Sequence, residues 1–202
     1  MQPFTILTAV AAPYDLANVD TDQILPGRFL LKRRTDPHYP TYLFRDLRFK
    51  PDGTEHPDFV LNKAAYRGAK IFVGNENFGG GSSREAAAIA FETYGIRSVI
   101  AVTFGDIFYN NCVKNGILPI RLAAEAAGAL RTQLHANPGA MLTVDLPAQT
   151  VRDVDGKVYP FDIDTFSKMC LLEGMSQIDL TLRHKDAIDA FEQRYRETVS
   201  WV

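Results

Sequence analysis

Residues 69–103, AKIFVGNENFGGGSSREAAAIAFETYGIRSVIAVT, decide the fold of this chain. The stretch holds an apolar run at Ala69–Gly74, a helical pattern at Ser83–Tyr94 and a second apolar run at Ser98–Thr103. Short apolar runs of this kind are typical of buried strands, and strands that alternate with helices build a parallel sheet. The stretch therefore predicts an α/β fold with parallel strands.

The same alternation continues toward the C-terminus, whereas the stretch before residue 69 has a different character. Arg33–Pro57 is rich in proline and charge, which predicts loops and turns long enough to be functional or mobile. We expect one domain over 1–202, with a motif-bearing core at 1–130 and a hairpin and C-terminal helices at 131–202. Downstream, the pattern predicts a helix at Asp106–Asn115, a strand at Ile117–Leu122, a helix at Ala123–His135, a strand at Met141–Leu146, a hairpin of Thr150–Val154 and Lys157–Ile163 across Asp155-Gly156, and an amphipathic helix at Lys185–Val199.

Composition argues against several classes of protein. The 22 basic and 24 acidic residues give a net charge of -2. We interpret these charges as scattered along the sequence without a basic stripe, which argues against a nucleic-acid-binding surface. No apolar stretch is long enough to span a bilayer and the start lacks a signal-peptide pattern, so we expect a cytoplasmic protein. Cys112 and Cys170 share no C-x-x-C spacing and the four histidines have no ligand spacing, which predicts buried cysteines and no metal site on this chain.

The chemically informative segment is Gly74–Ala90, in which a strand leads through consecutive glycines into a helix. Ser82 and Glu85 fit a capping box, so the helix is expected to begin near Ser82. Free amides and the helix dipole at such a terminus favour a bound carboxylate or phosphate, and the Arg84 guanidinium suits a bidentate carboxylate contact. Glycines at 79–81 would let a ligand or another chain approach the backbone closely.

Common loop motifs do not fit this segment. The Walker A pattern needs a lysine where Gly81 stands, and both the dinucleotide pattern and the nucleophile elbow need a glycine where Arg84 stands. Taken alone, the segment is explained as well by a serine that caps a helix, a solvated arginine and a glycine turn.

Three stretches in order change this interpretation: Asn18–Pro26 (NVDTDQILP), Gly74–Glu85 (GNENFGGGSSRE) and Phe104–Leu122 (FGDIFYNNCVKNGILPIRL). Together they closely resemble the hallmark segments of the 3-isopropylmalate dehydratase small-subunit family, which corresponds to the swivelling C-terminal domain of aconitase. The resemblance implies an α/β fold of the swivelling β/β/α type, with a mixed, mostly parallel core sheet and flanking helices.

The resemblance also implies a division of labour between two chains. In this family a separate large subunit holds a [4Fe-4S] cluster through three cysteines, and one iron acts as a Lewis acid on the substrate hydroxyl. The small subunit then closes over the cluster, so the hydro-lyase is active only as a complex. The implied reaction interconverts 2-isopropylmalate and 3-isopropylmalate by dehydration and rehydration in leucine biosynthesis.

Roles for individual residues follow from the same resemblance. Ser82 matches the serine that acts as general base, Ser83 and Arg84 match positions that hold a substrate carboxylate, and Asp22 matches an aspartate that supports the active-site network. Gly27–Arg34 aligns with a loop that helps to distinguish an isopropyl group from a carboxylate, which makes Arg28 a candidate substrate contact. From the residues alone, Asp20 and Asp22 would be turn or capping residues, and Gly27–Arg34 would be a solvated basic loop.

Two departures from the family pattern bear on substrate choice. The family usually reads Phe-Gly-Cys-Gly-Ser-Ser-Arg-Glu-His-Ala, whereas this chain has Gly80 for the cysteine and Ala86 for the histidine. A related hydro-lyase, of the homoaconitase, citramalate or dimethylmaleate hydratase type, is therefore an alternative, as is a non-catalytic anion-binding or regulatory module. A chain that lacks its partner is also expected to expose the partner-facing surface and to form homo-oligomers.

Overall fold

The structure is a computed structural model that describes residues 1–81, 84–199 and 201. A seven-stranded sheet runs through it in the order β4-β3-β2-β1-β5-β6-β7. The strands are β1 Ile6–Pro13, β2 Ile71–Val73, β3 Ser98–Ala101, β4 Leu118–Arg121, β5 Met141–Asp145, β6 Thr150–Arg152 and β7 Val158–Pro160. The helices are α1 Thr21–Ile24, α2 Arg45–Arg48, α3 Glu85–Tyr94, α4 Asp106–Lys114, α5 Ala124–Ala136, α6 Thr165–Glu173, α7 Gln177–Leu182 and α8 Lys185–Thr198.

Strand β1 joins two halves of the sheet that differ in direction. On one side β1 pairs in parallel with β2, and the parallel ladder continues through β3 to β4. On the other side β1 pairs antiparallel with β5, followed by β6 and β7. The predicted mixed sheet with flanking helices is confirmed, although antiparallel ladders are as numerous as parallel ones and the parallel share is smaller than expected.

Alternate residues of the strands feed two hydrophobic clusters, one on each face of the sheet. In β2, Phe72 lies in one cluster, whereas Ile71 and Val73 lie in the other. We term the Phe72 cluster the aromatic cluster because it contains many aromatic side chains, and it is covered by α3 and the segment before β2. The opposite cluster packs against α5 and α6, through residues such as Leu130 and Leu171. Burial on both faces explains why β2 and β3 read as continuous apolar runs.

Most of 33–57 consists of loops and turns, as predicted, with short helices at Tyr39–Thr41 and Arg45–Arg48. The segment nevertheless contributes to the core, because Tyr39, Leu43 and Phe44 are almost fully buried in the aromatic cluster. Arg48 is also buried, and its guanidinium donates to the Pro40 and Leu43 carbonyls and to the Asn62 side chain. These hydrogen bonds offset the cost of burying the charge. The segment is therefore part of the core that supports α3.

Most predicted elements after β2 are confirmed within one or two residues at their ends, including the helix α8. The hairpin is also confirmed, although its second strand ends at Pro160, three residues earlier than predicted. Helices α6 and α7 lie in the region where C-terminal helices were expected, but the sequence analysis gave no bounds for them. Asp164 accepts a hydrogen bond from the Ser167 amide at the start of α6, and Ser176 and Asp179 form a capping box at the start of α7. In the described residues, no helix has both the length and the apolar character needed to cross a bilayer.

Candidate functional site

The three segments singled out in the sequence meet at the carboxyl ends of β1, β2 and β3. Thr21 donates its amide hydrogen to the Gly80 carbonyl at 3.0 Å, and Gly79 donates to the Val19 carbonyl at 2.7 Å. These bonds join the segment after β1 to the glycine-rich segment after β2. Ligands of α/β sheets commonly bind outside the carboxyl ends of parallel strands, so this edge is the candidate functional site.

The segment after β3 joins the same assembly. Phe78 donates to the Thr103 carbonyl at 2.9 Å, and Gly105 donates to the Phe78 carbonyl at 3.0 Å. The Asn77 amide donates to the Thr103 hydroxyl at 2.7 Å. The glycine-rich segment is therefore held by backbone hydrogen bonds from both neighbouring segments.

Close packing makes two of the glycines necessary. Gly79 has a φ of +71°, and a Cβ atom there would lie 2.3 Å from Cγ of Phe108. A Cβ atom on Gly105 would lie 2.5 Å from the Gly79 carbonyl oxygen. The expected close approach to the glycine backbone at 79–81 is thus made, at Gly79, by other parts of this chain.

Arg84 and Asp22 form an ion pair across the meeting point of the first two segments. The Arg84 side chain is 23% exposed and the Asp22 side chain 55%. Gly27 lies against the pair, since a Cβ atom on Gly27 would be 3.5 Å from an Arg84 guanidinium nitrogen and 3.6 Å from an Asp22 carboxylate oxygen. Asp20, in contrast, caps α1 by accepting from the Gln23 amide. The capping role therefore applies to Asp20, whereas Asp22 orients Arg84.

Helix α3 begins later than the sequence predicted. It starts at Glu85, and the extended Arg84 occupies the N-cap position without a side-chain cap. The prediction of a helix start near Ser82 is wrong in this respect. Ser82 and Ser83 lie outside the described residues. The structure describes the residues on either side of them, Gly81 and Arg84.

Arg28 does not join the Arg84 and Asp22 pair. Its guanidinium forms a bidentate ion pair with Asp46 and lies 4.7 Å from the centre of the Phe29 ring. The Arg28 guanidinium lowers the pKa of the Asp46 carboxyl below its usual value, and the carboxylate raises the pKa of Arg28. Leu30 and Leu31 on the same loop are exposed, Leu31 almost completely at 97%.

Asn77 and Arg131 support the site and were not identified from the sequence. Asn77 has a φ of +50° and donates from its side chain to Asn18, which links two of the segments. Arg131 on α5 donates to the Gly74 carbonyl at 2.7 Å and pairs with Asp15. The signal for Asn77 in the sequence was an asparagine close to several glycines, because asparagine adopts the left-handed backbone conformation more readily than most residues. Nothing in the local sequence marks Arg131.

Gly80, which stands where the family pattern has cysteine, lies close to the Asn77 side chain. A Cβ atom on Gly80 would lie 3.0 Å from the Asn77 side-chain oxygen. A larger residue at position 80 would thus require the Asn77 amide to shift. Ala86 is partly buried and packs against the aromatic cluster.

The two cysteines are buried, as predicted. Cys112 lies in the aromatic cluster and Cys170 in α6, and burial raises the pKa of both thiols. Among residues 1–81, 84–199 and 201, no three His, Cys, Asp or Glu side chains are grouped so that they could hold a metal ion.

Comparisons with known proteins agree with this geometry. A family model described as Aconitase C-terminal domain matches residues 1–125, and one described as LeuD_N matches 129–165. A third, described as the C-terminal domain of the 3-isopropylmalate dehydratase small subunit, matches 178–202. Relatives named 3-isopropylmalate dehydratase small subunit from Roseobacter denitrificans and from Rhodopseudomonas palustris strain TIE-1 are 50% and 48% identical, over the full length of both chains in each case.

A solved structure gives the same result. The crystal structure of 3-isopropylmalate dehydratase (leuD) from Methanocaldococcus jannaschii is similar with a TM-score of 0.64 and 26% identity, covering 93% of this chain and 99% of that one. With its mixed sheet, its site at the ends of β1 to β3 and its full-length relatives, the chain belongs to the 3-isopropylmalate dehydratase small-subunit family and has the aconitase C-terminal domain fold.

Proposed function

We propose that this chain is the small subunit of a hydro-lyase that interconverts 2-isopropylmalate and 3-isopropylmalate in leucine biosynthesis. The observation that carries the proposal is the Arg84 and Asp22 pair at the junction of the three family segments. An arginine held in one orientation beside an exposed edge is suited to bind a substrate carboxylate through two hydrogen bonds. The relatives that match the full chain support the same reaction.

The roles of the remaining site residues are part of this proposal. Ser82 acts as the general base that removes the proton next to a carboxylate, and Ser83 and Arg84 bind that carboxylate. A serine hydroxyl is a weak base, so its alkoxide needs stabilisation by nearby positive charge and by exclusion of water. Arg84 directly follows both serines in the chain, and Arg84 and the N-terminus of α3 supply positive charge.

Asp22 keeps the Arg84 charge compensated until substrate arrives. A substrate carboxylate then shares or replaces the Asp22 contact, because the guanidinium has further N-H donors available. Arg28 has a different position, since Asp46 already occupies its bidentate face. To contact a substrate, Arg28 must therefore release Asp46 or bind Asp46 and the substrate together. We propose that Arg28 lies at the edge of the substrate site.

The side chains that the structure describes are not suited to bind a [4Fe-4S] cluster. Both cysteines are buried, and the described residues contain no group of potential metal ligands. We therefore assign the cluster to a separate large subunit, over which this chain closes. The exposed part of the Arg84 and Asp22 pair would then be buried in the assembled enzyme.

The departures from the family pattern at Gly80 and Ala86 bear on which side chain the substrate carries. Gly80 and Ala86 stand where the family usually has cysteine and histidine. Because Gly80 has no side chain, the Asn77 side-chain amide lies close to the backbone at position 80. This difference favours a related hydro-lyase acting on another 2-hydroxy acid as the alternative function. Exposed Leu30 and Leu31 support an apolar substrate group.

The test is anaerobic co-expression of this chain with its cognate large subunit, followed by assay of the complex on 2-isopropylmalate, 3-isopropylmalate, citrate and citramalate. Preferential turnover of the isopropylmalates is the expected result. Preference for another acid would keep the hydro-lyase and change its substrate. Failure to form any complex, with no turnover, would favour a non-catalytic anion-binding module. We further infer a cytoplasmic location, and self-association of the chain when the large subunit is absent.

A further inference from the structure

The segment from Arg28 to Lys50 is strongly basic in an otherwise acidic chain. It contains seven Lys and Arg residues and two Asp residues, whereas the rest of the chain contains fifteen basic and twenty-two acidic residues. The interpretation that charge is evenly scattered is wrong for this segment. Clustered charge of one sign steers and binds partners of the opposite sign.

Part of this segment lines an open hollow of about 530 Å³, which we term the basic hollow. Its walls combine cationic and aromatic side chains with one carboxylate. They are Arg28, Phe29, Arg45, Asp46, Phe49, Lys50, Pro51 and His56.

The lining of the basic hollow carries a net positive charge. Asp46 is engaged with Arg28, and neither Arg45 nor Lys50 forms an ion pair with any residue in the described part of the chain. The Arg45 guanidinium lies 4.2 Å from the centre of the Phe49 ring, which fixes its orientation while its N-H groups remain free for an anion.

The hollow and the candidate functional site share one rim. Gly27 contacts the Arg84 and Asp22 pair, and the next residue, Arg28, forms a wall of the hollow. A surface that covers the Arg84 and Asp22 pair at Gly27 is therefore one residue away from a wall of the hollow.

We propose that the basic hollow is a docking site for acidic side chains of the large subunit. The proposal rests on the proposed function, which requires a second chain to close the site. Charge complementarity favours an acidic surface, because arginine and lysine at the hollow can pair with carboxylates at the edge of an interface. Four of the eight wall residues are exposed and the other four are partly buried, so the hollow is open, whereas small-molecule sites enclose most of the ligand surface.

The experiment compares binding of the cognate large subunit to the wild-type chain, to R45E/K50E and to the control R152E/K157E. The control makes the same change in net charge on the β6 and β7 hairpin, at residues that do not line the hollow. Binding constants are measured anaerobically at low and high NaCl, and the thermal stability of each variant is checked. We expect R45E/K50E to weaken binding by about tenfold or more at low salt, with a smaller salt dependence. The control should bind like the wild type.

Each other outcome overturns the proposal in a recognisable way. Equal binding by wild type and R45E/K50E would overturn the docking site alone and leave the proposed function intact, whereas a wild-type chain that binds no large subunit would overturn both. Unchanged binding with a reduced kcat/KM would assign the hollow to the substrate's carboxylates. Self-association that R45E/K50E abolishes, with large-subunit binding unaffected, would assign it to a second copy of this chain.

Discussion

Replacement of Gly79 by alanine tests the packing that holds the candidate site together. The residue has a φ of +71°, and its added Cβ atom would lie 2.3 Å from Cγ of Phe108. Phe108 is 1% exposed and packs against the rings of Phe78 and Phe91, so it has little room to retreat. The variant must therefore shift either the aromatic cluster or the glycine-rich segment.

Two costs add in this variant. The left-handed backbone costs a residue with a Cβ atom about 1 kcal/mol. Overpacking a buried site costs a further 1 to 3 kcal/mol, roughly. The free energy of unfolding should thus fall by about 2 to 4 kcal/mol, which lowers Tm by roughly 10 °C in a chain of this length.

Gly53→Ala is the matched control for Gly79→Ala. Gly53 has a similar φ of +86°, but a Cβ atom there would meet nothing within 4 Å. Its loss should be limited to the backbone cost of about 1 kcal/mol. Chemical and thermal unfolding of both variants would measure the difference. If the two glycines gave equal losses, the close approach of Phe108 to Gly79 could not be the reason for glycine at that position.

Three further predictions concern the site and the core. Ser82→Ala should reduce turnover of the assembled enzyme by about 10²-fold or more without weakening the complex; near-normal turnover would remove the general-base role. Arg84→Lys should raise KM, because an ammonium cannot replace a bidentate guanidinium, and unchanged kinetics would argue against a carboxylate contact. Burial raises the pKa of the Cys112 and Cys170 thiols, so a thiol reagent at neutral pH should label both cysteines only after denaturation. Rapid labelling of either cysteine in the folded chain would contradict its burial.

The parallel half of the sheet could be predicted from the sequence because its strands are buried on both faces. Runs such as IFV and SVIA carry that burial directly in their composition. The antiparallel half could not be predicted to the same degree, since pairing of β1 with β5 joins residues such as Thr8 and Thr143 that are far apart in the chain. Local sequence sets the pleat of each strand and contains no information on its partner.

The errors have local physical causes. Ser82 and Glu85 have capping-box spacing, yet Arg84 is extended and its side chain pairs with Asp22, so α3 starts at Glu85. Proline and charge between 33 and 57 correctly indicated loops and turns, but they gave no sign that apolar residues along that segment pack into the core. The signal for this burial was the pattern of Tyr39, Tyr42, Leu43 and Phe44, which places aromatic and aliphatic side chains close together over little more than one helical turn.

Strand β1 determines where changes of chain length can be tolerated. Its residues Ala11 and Ala12 face opposite clusters, and the chain continues from it into the segment that carries Asp22. A single-residue insertion or deletion in β1 would exchange these faces and would also move Asp22 relative to Arg84. Length variation among natural or engineered versions should therefore be absent from β1 and concentrate in turns such as the one at Gly53, where the backbone is exposed and meets no neighbouring side chain.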